Sequence, residues 1–201
     1  NLFRDLRIDE HCRSIIGDIR NFDTFQKAVS EIQPDIVFHL AAQSLVRRSY
    51  REPVATYATN LMGTVHILES IRNIESVKAA VIVTTDKVYE NEEHDIGYVE
   101  SDRLGGFDPY ANSKACSELA VTAYRSSFLS DGGPLVATAR AGNVIGGGDW
   151  SEDRLLPDVF RSLIFGEDLS IRNLGSVRPW QHVLDPLNGY MELAKRLFQG
   201  D

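Results

Sequence analysis

The chain has 201 residues, 43% of them apolar and 25% charged, which is enough for one globular unit with its own core. Its 21 basic and 29 acidic residues leave a net charge of -8, and the basic residues are scattered, which argues against a nucleic-acid surface. No apolar run approaches the ~20 residues of a membrane-spanning helix, no secretory leader is visible, and Cys12 and Cys116 lie far apart without metal-ligand spacing, as reduced thiols in a cytoplasmic protein would.

In chain order, Ser14-Ile-Ile-Gly-Asp18 reads as a short buried strand ending in a turn. Phe22, Phe25, Val29 and Ile32 recur at helical spacing, with Asn21 as cap and Pro34 as breaker. Asp35 to Leu40 is a continuous apolar run, the mark of a strand covered on both faces. A long helix is predicted over Pro53–Arg72, a second buried strand over Ala79–Thr84 and an acidic polar loop over Asp86–Pro109. Another helix runs from Tyr110 to Phe128 with a stripe of Ala111, Ala115, Leu119 and Ala123, and a third strand spans Leu135–Arg140. Beyond Asn143 come a flexible Gly146-Gly-Gly-Asp-Trp150 loop, a helix over Leu155–Phe165, a short strand at Leu169–Ile171 and a last helix over Pro186–Phe198. There is no internal repeat.

Apolar strands alternating with amphipathic helices predict an α/β fold with a doubly wound parallel sheet. Residues 1–145 read as a partial dinucleotide-binding domain, and 146–201 as the start of a smaller substrate-binding part. Ligands in such sheets sit beyond the carboxyl ends of the strands. That directs attention to Asp18, Ala41-Ala42-Gln43, Thr84-Thr85-Asp86-Lys87 and Ala141-Gly142-Asn143.

Tyr110 and Lys114 are four apart at the start of a helix, so they share a face. A cation near a phenol favours the phenolate, and such a tyrosine can take a proton from a hydroxyl near neutral pH. At the exit of the second strand, a hydroxyl (Thr85), a carboxyl (Asp86) and an amine (Lys87) are placed to orient, donate and accept protons. His39 and His182 read as structural; Trp150 and Trp180 fit a pocket wall or core packing equally well.

Phe38-His-Leu-Ala-Ala-Gln43, Asn60, Thr84-Thr-Asp-Lys-Val-Tyr89 and Tyr110-x-x-x-Lys114 together resemble the extended short-chain dehydrogenase/reductases. Arg140 to Trp150, Asp153 to Asp158, Arg178-Pro-Trp-Gln-His182 and Val183 to Leu187 narrow the resemblance to the sugar-nucleotide 4,6-dehydratases, and within them to those of CDP-glucose. It runs from about Ile16 to the end and implies an NAD-dependent lyase of deoxysugar synthesis for bacterial surface polysaccharide (O-antigen, lipopolysaccharide).

The resemblance also implies roles. Tyr110 would deprotonate the glucose 4-hydroxyl as hydride leaves C4 for NAD. Lys114 would lower the phenol's pKa and hold the nicotinamide ribose, and Thr85 would bond the 4-oxygen. Lys87 would remove the C5 proton, and Asp86 would protonate the departing 6-hydroxyl. Asp18 and Ile19 would flank the adenine, and Leu40, Ala41, Ala42 and Gln43 would line the pyrophosphate and ribose. Thr59 or Asn60 and Thr84 would approach the nicotinamide half. Asn143 would contact the sugar diphosphate, Asp153 and Arg154 the nucleotide, and Arg178 a phosphate.

Lys87 departs from the glutamate of the dTDP-glucose members and points to CDP-glucose. The glycine-rich Gly-x-x-Gly-x-x-Gly turn of the family is absent from the sequence, so the chain reads as a portion with a weak grip on NAD and an exposed sheet edge. Two rival readings stay open: a 4-epimerase or another dehydratase on the same scaffold, and an inert module. In the second, the helices Pro53–Arg72 and Tyr110–Phe128 would serve only a homodimer or homotetramer contact.

Overall fold

The computed structural model describes residues 2–93, 95–130 and 132–201. After a short α1 (Leu2–Asp5) and a 3₁₀ turn (Ile8–Glu10) come α2 (Phe22–Ile32), β1 (Ile36–His39), α3 (Val46–Arg51) and α4 (Pro53–Tyr57). A π-helical turn (Ala58–Met62) leads into α5 (Gly63–Arg72), then β2 (Ala79–Val83), α6 (Pro109–Ser127), β3 (Leu135–Ala139) and β4 (Asn143–Ile145). The chain continues through α7 (Leu155–Phe165), β5 (Trp180–His182) and α8 (Leu184–Phe198).

The three central strands pair in parallel in the order β1-β2-β3, with Ile36 opposite Ala79 and Ala79 opposite Leu135. Alternation along β2 decides what each face meets. Ala80 and Ile82 point to a core with Ile67, Leu68 and Ile71 of α5, Val121 of α6, Val29 of α2 and Val136 of β3. Val81 points to the other face, where Tyr190 and Ala194 of α8 cover it. Helices on both faces of a parallel sheet confirm the predicted fold class. They also explain why β2, covered on both sides, is the most uniformly apolar strand.

Local chemistry sets the helix starts. The Asn21 side chain accepts from Thr24 N at 3.1 Å, as its capping role predicts. On α6, Pro109 takes the first-turn position and Asp108 accepts from Ala111 N at 2.9 Å, which fixes the entry of Tyr110.

Several expectations are corrected. Ser14–Asp18 is not a strand: Ile16 is 99% exposed and, among the described residues, no strand flanks the outer edge of β1. An apolar run becomes a strand only where a neighbour satisfies its backbone groups. Leu169–Ile171 is likewise exposed and unpaired in any sheet; β4 recruits Trp180–His182 instead, with Asn143 opposite Trp180. The long helix keeps its expected bounds, Pro53 to Arg72, with the π-helical turn inside it, and the separate α3 precedes it. β1, at the sheet edge, leaves Phe38 41% exposed rather than covered on both faces. The small-residue stripe of α6 is buried only over Ala111 and Ala115, while Leu119 and Ala123 face outward. The last helix begins at Leu184, two residues earlier than predicted.

His39 closes β1 in a buried position, with its Nε2 3.3 Å from Thr64 Oγ1. Burial, reinforced by the charge of Lys114, lowers its pKa to about 3. The folded state therefore keeps this imidazole neutral, while the unfolded chain protonates it below its ordinary value of 6.5. Stability should fall as pH drops from about 6.5 towards 3, by up to about 1.4 kcal/mol per pH unit from this group. Thermal melts across that range should show the slope, and His39→Asn should flatten it; an unchanged slope would remove His39 as the cause.

Candidate active site

The site is built at the carboxyl ends of β2 and β3, where the doubly wound topology directs it. Thr84 follows β2, and the backbone stays bonded to the β3 side through Thr84 N to Ala139 O at 2.8 Å and Asp86 N to Ala141 O at 3.0 Å. These bonds hold the 3₁₀ turn Asp86–Val88 at the strand exit. Thr85 caps that turn, donates from Oγ1 to Asp86 Oδ1 at 3.1 Å, and lies near enough to the Tyr110 phenol to lower its pKa. Lys87 Nζ donates to the same Asp86 Oδ1 at 2.8 Å. Thr85, Asp86, Lys87 and Tyr110 thus form one cluster. Thr85 and Tyr110 are buried, whereas the Asp86 and Lys87 side chains keep about a third of their surface open.

The tyrosine–lysine pair is arranged differently from the spacing argument. Lys114 is buried and its Nζ donates to Val83 O at 2.8 Å, so the amine anchors to β2 rather than to the phenol. Burial lowers the Lys114 pKa to about 8, partly opposed by Glu118. The Tyr110 phenol is pushed above its ordinary value by burial, opposed by the neighbouring Thr85 and by the charge of Arg154. Burial thus shifts both groups towards their neutral forms.

Asn60, fully buried in the π-helical turn, accepts from Gln43 N at 2.8 Å and donates to Gln43 O at 3.0 Å and Ser113 Oγ at 2.9 Å. Its amide is committed to pinning the loop after β1 against α6. π-helical turns within helices are frequent at functional sites. Gln43 is further locked by its amide, which donates to Thr56 Oγ1 at 3.0 Å and to Leu45 O. Ala41, Ala42 and Leu40 follow β1 on the same side, with Leu40 and Ala41 open to solvent. Thr59 is half-buried in the π-helical turn.

The remaining candidates are more dispersed. Asp18 is held by Arg20 through side-chain bonds of 2.6 to 3.1 Å, which lower its pKa to about 2, and it lies on an open surface. Ile19 packs against α5, and its carbonyl lies 2.9 Å from His66 Nδ1. Asn143 opens β4 with its Oδ1 buried and unpartnered. Asp153 pairs with Arg47 at 2.7 Å, and Arg154 bonds Ser44 Oγ at 2.9 Å and Asp149 at 3.3 Å. The loop holding them is thereby tied to α3. Arg178 lies on an exposed stretch and donates to Val177 O, so it is not brought to the cluster. Trp150 and Trp180 are about half exposed and are not core residues, and His182 is exposed.

Glu118 and Arg140 escaped the sequence reading. Glu118 accepts from Arg140 Nε at 3.0 Å and Nη2 at 3.1 Å, from Thr138 Oγ1 at 2.7 Å and from Thr84 Oγ1. Burial pushes its carboxyl up, but the bonds from Arg140, Thr84 and Thr138 outweigh that and hold it below its ordinary value. The available signal was a carboxylate one turn beyond Lys114 on the same helix face, and an arginine ending an apolar strand.

The chain is similar in sequence and in fold to known proteins. The chain is 50% identical over 98% of its length to the CDP-glucose 4,6-dehydratase of Salmonella typhimurium, covering 56% of that protein. It is 31% identical over 84% of its length to dTDP-glucose 4,6-dehydratase 1 of Escherichia coli, covering 50% of it. The structure matches dTDP-glucose 4,6-dehydratase of Bacillus anthracis in complex with NAD at a TM-score of 0.80 and 25% identity, over 96% of this chain and 59% of that one. It also matches DesIV, a dTDP-glucose 4,6-dehydratase of Streptomyces venezuelae with NAD bound, at a TM-score of 0.77 and 30% identity, over 89% and 53% of the two chains. The chain thus spans about half the length of these relatives. The GDP-mannose 4,6-dehydratase family model matches residues 1–197, and the chain belongs to that family.

Proposed function

We propose that this chain carries the catalytic centre of an NAD-dependent CDP-glucose 4,6-dehydratase, a lyase that forms the 4-keto-6-deoxy sugar nucleotide. The observation that carries the reading is the junction of two proton-handling units. Tyr110 lies beside Thr85, which is bonded to Asp86, and Asp86 to Lys87. An epimerase or reductase needs only the tyrosine unit; loss of water needs an acid and a base besides. The 50% identity to a CDP-glucose enzyme supports the substrate, as does a lysine at position 87.

The residues fit a nicotinamide dinucleotide and a sugar diphosphate. Small side chains follow β1, a buried amine lies under β2, and the buried Asn143 Oδ1 lacks a partner that a ligand donor would supply. NAD would be held by Asp18, Ile19, Leu40 to Gln43, Thr59, Thr84, Tyr110 and Lys114, with Asn60 fixing Gln43, and would supply reversible hydride transfer. Asn143 would contact the sugar diphosphate, and Asp153 and Arg154 the nucleotide.

The chain's own groups do the proton work. Tyr110 takes the proton of the 4-hydroxyl while Thr85 holds its oxygen. The new ketone acidifies the C5 hydrogen, Lys87 takes that proton, and Asp86 gives one to the departing 6-hydroxyl. These roles need a neutral lysine beside a protonated aspartate. The two side chains stand 2.8 Å apart at the strand exit.

Residues 1–145 then act as the dinucleotide-binding part and 146–201 as part of the substrate side, in a cytoplasmic enzyme of O-antigen or lipopolysaccharide deoxysugar synthesis. Val54, Met62 and Leu119 are 82%, 45% and 58% exposed on α4, the π-helical turn and α6, which suits a helix-to-helix contact with a second copy.

The test uses the full-length protein carrying this sequence. With NAD and CDP-glucose it should form a 4-ketosugar, detected by absorbance in base, and do so faster than with dTDP-glucose. Asp86→Asn should still take up hydride from C4 but lose at least about a hundredfold in water loss. Product formation by Asp86→Asn at the full rate would end the dehydratase reading.

A further inference from the structure

We infer that the Glu118–Arg140 ion pair is the positioning device that brackets the acid–base segment 85–88 and registers it against the helix carrying Tyr110 and Lys114. The inference rests on the dehydratase reading for its chemical consequence, but its structural claim stands separately.

Glu118 lies one turn beyond Lys114 on α6 and is almost wholly buried. Its four hydrogen bonds go to three places: Thr84 at the exit of β2, Thr138 within β3, and Arg140 just past β3. Thr84 immediately precedes the acid–base segment. Arg140 reaches the other side of it. Its guanidinium lies 4.9 Å over the ring of Tyr89, the residue that follows the segment, and its Nη1 donates to Glu100 O at 3.2 Å in the loop beyond. That loop returns along the same stretch through Glu90 N to Arg103 O and Gly105 N to Val88 O. Both flanks of Thr85-Asp86-Lys87-Val88 are therefore tied to one buried carboxylate.

The geometry divides the site mechanically. Tyr110 and Lys114 are set by α6 itself, by its Asp108 cap and by the bond from Lys114 to Val83 O. Asp86 and Lys87 stand on a short 3₁₀ turn and depend on what holds its two ends. A fork of two parallel N–H···O bonds is directional, so losing it tilts the turn without removing the helix. Loosening the bracket by Arg140→Lys, which keeps the Glu118 carboxylate near Lys114, should spare hydride uptake at C4, which uses Tyr110, and slow the elimination, which uses Asp86 and Lys87.

Glu118→Gln keeps the shape of the side chain but sets an amide donor against donors, since both carboxylate oxygens receive an arginine nitrogen and a threonine hydroxyl. Arg140→Lys keeps the charge but loses the fork, and it serves as the second variant should Glu118→Gln not fold. In the full-length protein, amide exchange at Asp86, Glu90 and Gly105 should quicken by about tenfold or more while the interior of α6 stays protected. With NAD and CDP-glucose, elimination by Arg140→Lys should fall about tenfold or more relative to hydride uptake, because a misplacement of an ångström is enough for that. Equal loss in both steps, with exchange unchanged at those three amides, would overturn the inference. If the wild-type protein formed no dehydrated sugar, the functional reading would fall, and the exchange pattern alone would decide whether the bracket exists.

Discussion

Replacing Lys114 by methionine should raise the melting temperature while removing activity. The amine is almost completely buried, and burial lowers its pKa from 10.5 to about 8. At pH 7 it is nonetheless mostly charged in the folded protein, as it is in the unfolded chain. Keeping the ammonium charged there costs folding on the order of 3 kcal/mol. The sign follows from the proton count. Between pH 8 and 10.5 the unfolded chain holds the proton more tightly, so stability rises with pH through that window as the cost is relieved. Methionine fills a similar volume without the charge. It forfeits the bond to Val83 O, about 1 kcal/mol, leaving a net gain of about 2 kcal/mol. For a chain of this size that is roughly 4–8 °C in Tm at pH 7. The alkaline rise in stability should shrink in the same variant. A Tm lowered by several degrees, or an unchanged alkaline slope, would show that the buried ammonium is not a burden. On the proposed mechanism turnover should drop by at least about a hundredfold, because a phenol raised by burial needs a neighbouring cation to ionise near neutral pH.

The same contrast between local and distant determinants explains what the sequence made legible. β1, β2, β3, α2, α7 and most of α8 could be read because their apolar spacing records the layer each one meets. Tyr110, Thr85, Asp86 and Lys87 were legible because sheet topology places strand exits at the site before any distance is known. Ser14–Asp18 shows the limit of that logic, since its apolar residues record a tendency to pair but not whether a neighbour is present. β4 and β5 are only three residues each and pair across 37 positions, so neither carries a period to read. α3 is a six-residue helix rich in arginine, without an apolar stripe. Glu118 and Arg140 lie 22 residues apart on a helix and after a strand, and a charge pattern alone does not say that they meet in the interior. The direction of the Lys114 amine was also beyond reach. Spacing puts it on the Tyr110 face of α6, but the carbonyl that captures it belongs to β2.

Gly106→Ala should be the most damaging of the single-methyl changes near the site. Gly106 has φ of +87°, where an alanine is strained by about 1 kcal/mol. Its added Cβ would also lie 2.5 Å from Ala111 C and Asn112 N, backbone atoms of the first turn of α6. That turn cannot easily withdraw. Asp108 caps it, Asn112 donates to Gly105 O at 3.1 Å and Tyr57 donates to Asn112 Oδ1 at 2.8 Å, so the loop and the helix start are fastened together from several sides. Overpacking against fixed backbone adds about 2 kcal/mol, for a total of about 3 kcal/mol and a fall in Tm of about 9 °C. Gly97, with open space around its added Cβ, is the control, and Gly97→Ala should leave Tm within about 2 °C. Because Tyr110 stands in the displaced turn, turnover at a temperature where Gly106→Ala is still folded should drop more than its stability accounts for, by about tenfold or more. A folded variant with wild-type turnover would mean that α6 can shift at its start without moving the phenol. The tight approach of the glycine would then serve the fold and not the chemistry.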